Sequence, residues 1–218
     1  MLAEDYVNNL SGLSGALENT MYFRDPDRKA PHNAYTTGEG ISEGIRIMEY
    51  DPQREAGYES HYRFNEDDEN EIRLTQGQDA AVVRPGYLVN KPWFVYNTET
   101  GLYERFQNGS AQTDAGDGSQ VAVKNILMQV CDWYVADEEA GYLSIDTMSG
   151  GSGYYITNGK AVPVTWSKES QSAPTRYYDA DGNEITLNQG KTWVCIIQDT
   201  YADRVAFYAS EEEFQTAQ

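Results

Sequence analysis

The chain has 218 residues with 35 acidic against 16 basic side chains, a formal net charge of −19, which repels a nucleic-acid backbone and gives no attraction to anionic lipid headgroups. No apolar run approaches the roughly 20 residues of a membrane-spanning helix, so no span is expected and the chain as it stands reads as soluble. Hydrophobic content of 39% excludes a disordered polymer, and 17 Tyr with 4 Trp suit strands and contact faces where a ring packs while its polar tip stays wet.

The opening MLAEDYVNNLSG has neither a basic segment nor an apolar core leading to a small-residue cleavage site, so no export signal is read there. Leu2, Val7, Leu10, Leu13, Leu17 and Met21 recur at spacings of three to five, which predicts a helix over residues 2–22, weakened by Gly12 and Gly15. FRDPDRKAPHNAYTT follows. Here Pro26 and Pro31 stiffen a loop in which Arg24, Arg28 and Lys29 precede His32 and Asn33. The arginines can receive a carboxylate or phosphate in a fork. Equally, Asp25 and Asp27 can neutralise them while the Asn33 side chain caps the turn.

TTGEGISEGIRIMEY places Thr36 three residues before Glu39 as a capping box, with Ile41, Ile45 and Met48 on one face of a second helix. Periodicity then fades, and Glu66, Asp67, Asp68, Glu69 and Glu71 mark a linker or an exposed strand rim. From about residue 71 short alternating runs separated by turn residues predict a mainly β domain. Asn108-Gly109, Asn158-Gly159 and Asp181-Gly182 each put two residues tolerant of positive φ between candidate strands. YYITNGKAVPV and YYDADGNEI read as two neighbouring hairpins of similar chemistry. TWVCIIQ lacks alternation and is expected to be a central strand covered on both faces. In the tail, Ser210 is placed to cap a short helix with acids in its first turn.

GGSG at 150–153 precedes the strand-like YYIT rather than a helix and lacks the Lys-Ser/Thr pair, so its glycines are read as bending a strand or admitting close backbone approach and not as a phosphate loop. DADGNE and TDAGDG gather oxygen ligands but miss the spacing of a calcium loop, and turn chemistry accounts for Asp179, Asp114 and Asp117. Cys131 and Cys195 sit in apolar runs, either as buried small hydrophobes or as a disulfide between strands; zinc spacing is missing. Neither His32 nor His61 lies in a nucleophile motif, and no cofactor or metal is expected.

RDPDRKAPHNAYT, VKNILMQV, GGSGYYITNGKAVPVTWSK and TRYYDADGNEITLNQGKTWVCII together resemble the YerB-like family of bacterial lipoproteins, a domain of unknown function, in order and over roughly residues 20 to 200. The resemblance implies an extracytoplasmic protein, lipid-anchored in its full-length form, with a larger N-terminal domain than residues 1–57 build. Where the family often has a Pro-His pair, this chain reads Asn108-Gly109-Ser110-Ala111-Gln112, which counts against a two-histidine site. The expected architecture is α+β: a short helical N-terminal remnant over 1–57 holding the His32 loop, then a mainly antiparallel β domain over 58–218. The expected function is a non-enzymatic binding or scaffold module of the bacterial cell envelope, partnered by an envelope protein or glycan, with Arg24, Arg28, His32 and Asn33 as binding residues. The alternative is a hydrolase of envelope polymers using His32 with Arg24 or Arg28.

Overall fold

The computed structural model describes residues 9–11, 17–53, 56–67 and 69–217. The chain divides into two compact units, Met1–Tyr58 and Glu59–Gln218. In the first, strand β1 (Tyr22–Arg24) pairs antiparallel with β2 (Ala34–Thr36), and helix α1 (Gly38–Ile47) follows. Most of the predicted helix over 2–22 lies outside the described residues. Where it is described, Met21 N–H donates to the Leu17 carbonyl at 2.9 Å in a turn and Tyr22 already belongs to β1. Helix α1 starts one residue later than expected, because Thr36 belongs to β2 and its hydroxyl donates to the Met21 carbonyl at 2.7 Å. Thr37 is the cap, accepting the Gly40 N–H at 3.0 Å. The buried face of the helix also differs from expectation. Gly40 and Gly44 let it lie against Met21, where an added Cβ would come within 2.7 Å of the Met21 carbonyl oxygen or sulfur, while Ile41 and Met48 stay exposed.

The second unit is mostly β. Its strands are β3 (Gln78–Asp79), β4 (Val82–Arg84), β5 (Trp93–Asn97), β6 (Leu102–Gln107), β7 (Ser110–Ala111), β8 (Ala122–Val123), β9 (Asn125–Cys131) and β10 (Trp133–Asp137), then β11 (Tyr142–Ile145), β12 (Gly151–Thr157), β13 (Lys160–Ser167), β14 (Arg176–Tyr178), β15 (Thr192–Gln198) and β16 (Ala206–Tyr208). A 3-10 turn, Asp199–Arg204, joins the last two strands, and α2 (Glu211–Thr216) closes the unit with Ser210 as its cap, as the sequence predicts. One sheet runs β14-β13-β12-β9-β15 with β3 beside β13; a second runs β16-β4-β5-β6-β7 with β8 beside β6; β10 and β11 form a ribbon of their own.

Period-two alternation sorts the side chains of β9 between two cores. Ile126 and Met128 meet Val83, Phe94 and Tyr103 of the second sheet, while Leu127 and Cys131 face Trp166, Tyr177 and Leu187 on the other side. Strand β15 is covered on both faces but is not central. It lies at the end of its sheet and pairs only with β9 in that order, in parallel. Strand β9, with six of its seven residues buried, takes the central role. Because Cys195 belongs to the first core and Cys131 to the second, the two thiols lie on opposite sides of one sheet; both are free. A disulfide between them within one chain is thereby excluded.

Asn108 (φ 52°) with Gly109 (φ 80°) and Asn158 (φ 49°) with Gly159 (φ 75°) form the two-residue turns β6–β7 and β12–β13. Asp181-Gly182 makes a wider turn: Asp179 Oδ1 accepts the Asp181 and Asn183 N–H groups, and Tyr178 bridges to Glu184. Glycine at 153 is a packing requirement, since an added Cβ would run into the Met128 carbonyl oxygen of the adjacent strand.

Candidate functional site

The four residues singled out by sequence lie in or beside the loop of the β1–β2 hairpin. Asn33 organises it. Its side-chain amide donates to the carbonyls of Asp25 (3.2 Å) and Arg28 (3.3 Å), its Oδ1 accepts from Arg24 Nη1 at 3.0 Å, and its carbonyl accepts the Asp25 N–H at 2.8 Å. Arg28 approaches Asp25 at 3.8 Å and stands over the Tyr35 ring at 5.9 Å. Arg24, Arg28 and Asn33 are thus brought together around Asp25. His32 is not: it is exposed, its N–H donates to the Lys29 carbonyl at 3.2 Å, and among the described residues no hydroxyl, thiol or carboxylate hydrogen-bonds its imidazole. A cavity of about 490 Å³ in the second unit and one of about 550 Å³ in the first stand out in the molecule. Of the four loop residues, only Arg24 lines the one in the first unit.

The cavity in the second unit is built where β4, β5, the β6–β7 turn and α2 converge. Arg84 ends β4, Trp93 begins β5, Asn108 forms the turn, Phe214 comes from α2, and Asn90 and Lys91 cross between β4 and β5. The crossing segment is held in an unfavourable backbone form. Asn90 has φ 58° and Lys91 φ 37°, a left-handed geometry that costs a non-glycine residue about 1 kcal/mol or more and concentrates at ligand sites. The Asn108 N–H donates to the Asn90 carbonyl at 2.8 Å and locks the segment to the turn. Trp93 is stacked on Phe106 at 5.1 Å and flanked by Phe214 at 5.8 Å. With its faces occupied, the ring offers its rim, and its indole N–H has no acceptor among the described residues.

Electrostatics separate this cavity from the rest of the surface. Among the described residues none that lines it carries a carboxylate, although the chain has 35 acids. Arg84 stands 5.9 Å from the Tyr208 ring centre, and neither Arg84 nor Lys91 makes an ion pair among the described residues. Arg84, Lys91, Trp93, Asn90 and Asn108 bring side chains that can donate to a lining shared with the apolar Leu88, Phe214 and Ala217, a set suited to the oxygens of an anionic group.

A further cavity of about 410 Å³ is lined by Glu71, Arg73, Glu99 and Lys124, so both signs of charge meet there. Lys124 is buried and spends its three hydrogens on Glu71 (2.7 Å), Asn158 Oδ1 (2.9 Å) and the Gly101 carbonyl (3.2 Å). The Asp114, Asp117 and Asp179 carboxylates accept backbone N–H groups of their own turns. His61 is exposed beside Tyr62. Arg84 and the segment GYLVNKPWF after it carry no motif, and the signal there is two separated bases, Arg84 and Lys91, in an acidic chain.

Residues 81–194, just over half of the chain, match the family described as "Protein of unknown function (DUF3048) C-terminal domain". The chain belongs to this family. The matched DUF3048 segment contains Arg84, Asn90, Lys91, Trp93 and Asn108 and stops before Phe214. Over 215 aligned positions the chain is 25% identical to a protein of Bacillus subtilis (strain 168) named "Putative lipoprotein YerB", covering 94% of this chain and 58% of that protein. The crystal structure of the YerB protein from Bacillus subtilis shares the fold with a TM-score of 0.69 at 24% identity, over 95% of this chain and 62% of that one. The chain therefore spans under two thirds of the length of these relatives.

Proposed function

We propose that this DUF3048 chain is a non-enzymatic binding module of the bacterial cell envelope, and that the cavity between Arg84, Lys91 and Trp93 holds an anionic group, phosphate or carboxylate, carried on an envelope glycan. The observation that carries the reading is a lining that includes Arg84 and Lys91 and, among the described residues, no carboxylate, in a chain of net charge −19. In such a chain Arg84 at the end of β4 and Lys91 in the left-handed segment, neither ion-paired among the described residues, oppose the general field, and an anion placed between them supplies the missing countercharge. The envelope setting is supported by the name of the Bacillus subtilis relative, whose lipoprotein character implies a lipid anchor in the longer form. In this reading the Arg24, Arg28, His32 and Asn33 loop is a rigid hairpin of the first unit, and Arg24 lines a separate cavity there.

Calorimetric titration tests the reading with three probes: a phosphate-bearing polyol polymer, a glycan fragment bearing a carboxylate-terminated peptide, and a neutral oligosaccharide of similar length. One anionic probe is expected to bind with an affinity that falls at least tenfold in the Arg84→Gln/Lys91→Gln variant, and the neutral one not to bind. Equal affinity of the variant, or equal binding of the neutral probe, overturns it.

A further inference from the structure

The β10–β11 ribbon stands outside both sheets. Trp133 pairs with Ile145 and Val135 with Leu143, with a register break between Val135 and Asp137. Its base is anchored, since the Trp133 indole N–H donates to Thr200 Oγ1 at 3.0 Å and the Asp146 N–H to the Asp132 carbonyl at 2.8 Å. A two-stranded ribbon alone is marginal in water, and this one keeps its large apolar side chains in solvent. Tyr142 is 68% exposed, Tyr134 65%, Leu143 49% and Val135 44%. Exposed apolar side chains grouped on one element mark an interaction surface.

Charge defines what fits there. Asp132, Asp137, Glu138, Glu139 and Asp146 frame the ribbon, and no Lys or Arg occurs between Lys124 and Lys160. Asp137 and Asp146 turn back to accept N–H groups of their own turns. Asp132, Glu138 and Glu139 are exposed and make no ion pair among the described residues, while Val135 and Leu143 share one face of the ribbon and Tyr134 lies on the other.

We propose that this ribbon is a docking element for a basic polypeptide surface carrying aliphatic or aromatic side chains. The apolar pairs provide the contact area, and the acidic frame selects and steers a cationic partner. A second copy of the chain brings like charge to like across a two-fold contact, and an anionic lipid surface is repelled.

The test uses fluorescence anisotropy of three labelled peptides, one alternating Leu and Lys, one alternating Leu and Glu, and one alternating Gly and Lys, against the whole protein and its Val135→Ser/Leu143→Ser and Glu138→Gln/Glu139→Gln variants. Both pairs are exposed, and an unchanged melting transition verifies that each variant folds. The Leu-Lys peptide is expected to bind at least tenfold more tightly than the other two, to weaken about tenfold in each variant, and to weaken with added salt. The Arg84→Gln/Lys91→Gln variant is expected to bind it unchanged, which separates this surface from the anion cavity. Equal binding of the Gly-Lys peptide, or undiminished binding by the Val135→Ser/Leu143→Ser variant, overturns the proposal. Self-association of the unmodified protein that the same variant abolishes assigns the ribbon to a second copy and overturns it as well.

Discussion

The Arg105 guanidinium carbon lies 4.4 Å from the centre of the Trp193 ring, with the Phe94 ring at 5.8 Å. Arg105 is buried, donates to Gln107 Oε1 at 3.1 Å and leaves its Nε without a partner. Among the described residues it makes no ion pair. Burial pushes its pKa down, and the charge is compensated by ring faces rather than by a carboxylate.

A charge held this way adds little net stability, because desolvation offsets most of the attraction. Arg105→Met is expected to change the urea stability by less than about 1 kcal/mol in either direction. Trp193→Ala, which removes the ring and opens a void beneath the guanidinium, is expected to cost about 3 kcal/mol. A loss on Arg105→Met as large as that on Trp193→Ala would mean the cation is a stabilising centre in its own right.

The hydrogen bond from Lys124 is the main cause that holds the Glu71 carboxyl below its ordinary value near 4.5. Since folding lowers this pKa, the stabilisation is present above that ordinary value and disappears as pH falls through the lower folded one. Glu71→Gln is expected to lower stability at pH 7 by no more than about 1 kcal/mol, the pair being partly exposed to solvent. Urea curves of the two proteins should converge on acidification. A gap of constant size from pH 7 down to strongly acidic solution refutes the assignment.

Burial raises the Cys131 thiol to about 11 and the Cys195 thiol to about 12. At pH 8 fewer than about one thiol in a thousand is then ionised at either site. Neither cysteine is expected to react with a water-soluble thiol reagent until the protein is unfolded, when both should react at once. Mass spectrometry of the folded, oxidised protein should find no internal bridge.

Gly153→Ala tests the close approach of β12 to β9. The methyl group has no room beside the Met128 carbonyl, so the strands must part. A loss of about 3 kcal/mol is expected, with reduced soluble yield. A melting temperature within about 2 °C of the parent would show that the backbone absorbs the methyl by sliding.

In the N-terminal hairpin, Asn33→Ala removes hydrogen bonds to Asp25, Arg28 and Arg24 and is expected to cost about 1 kcal/mol or more. Amide exchange at Asp25 should quicken correspondingly. His32→Ala, acting on an exposed ring, should leave both readouts unchanged. The reverse order of effects would restore His32 as the organising residue.

The turns were the most legible part of the fold, because Asn-Gly pairs need φ > 0 and few other dipeptides supply it. The Ser210 cap and the glycine close approach were legible for the same reason, as each rests on one local geometric demand. The rank of β15 in its sheet was hidden. An unbroken apolar run reports coverage of both faces, which holds, but carries no information about which neighbours pair at the sides. Helix α1 misled through its apolar stripe, because glycine burial by close approach leaves no hydrophobic periodicity to read.

The cavity was less legible than the fold. Clustered bases are the plainest signal in a sequence, and here they are Arg24, Arg28 and Lys29, of which Arg24 is met by Asn33 and Arg28 by Asp25. Arg84 and Lys91 stand apart in sequence and meet only because β4 and β5 pair, with Val82 opposite Val95 and Val83 opposite Phe94. Phe214 arrives from the last helix, far along the chain, a distance that no motif spans.

The order in which the sheets are sealed bears on biosynthesis. The free flank of β9 is occupied by β15, and the free flank of β4 by β16, whose residues Ala206–Tyr208 pair with Val82–Arg84. A nascent chain that has already made both inner strands therefore waits until residues 192–208 have emerged before either flank is covered. Until then each presents unpaired amides to other chains. Strands β15 and β16 thus cover edges left open by strands made well before them, and agents that shield β9 and β4 during synthesis should matter more for the yield than any added stability of the finished molecule.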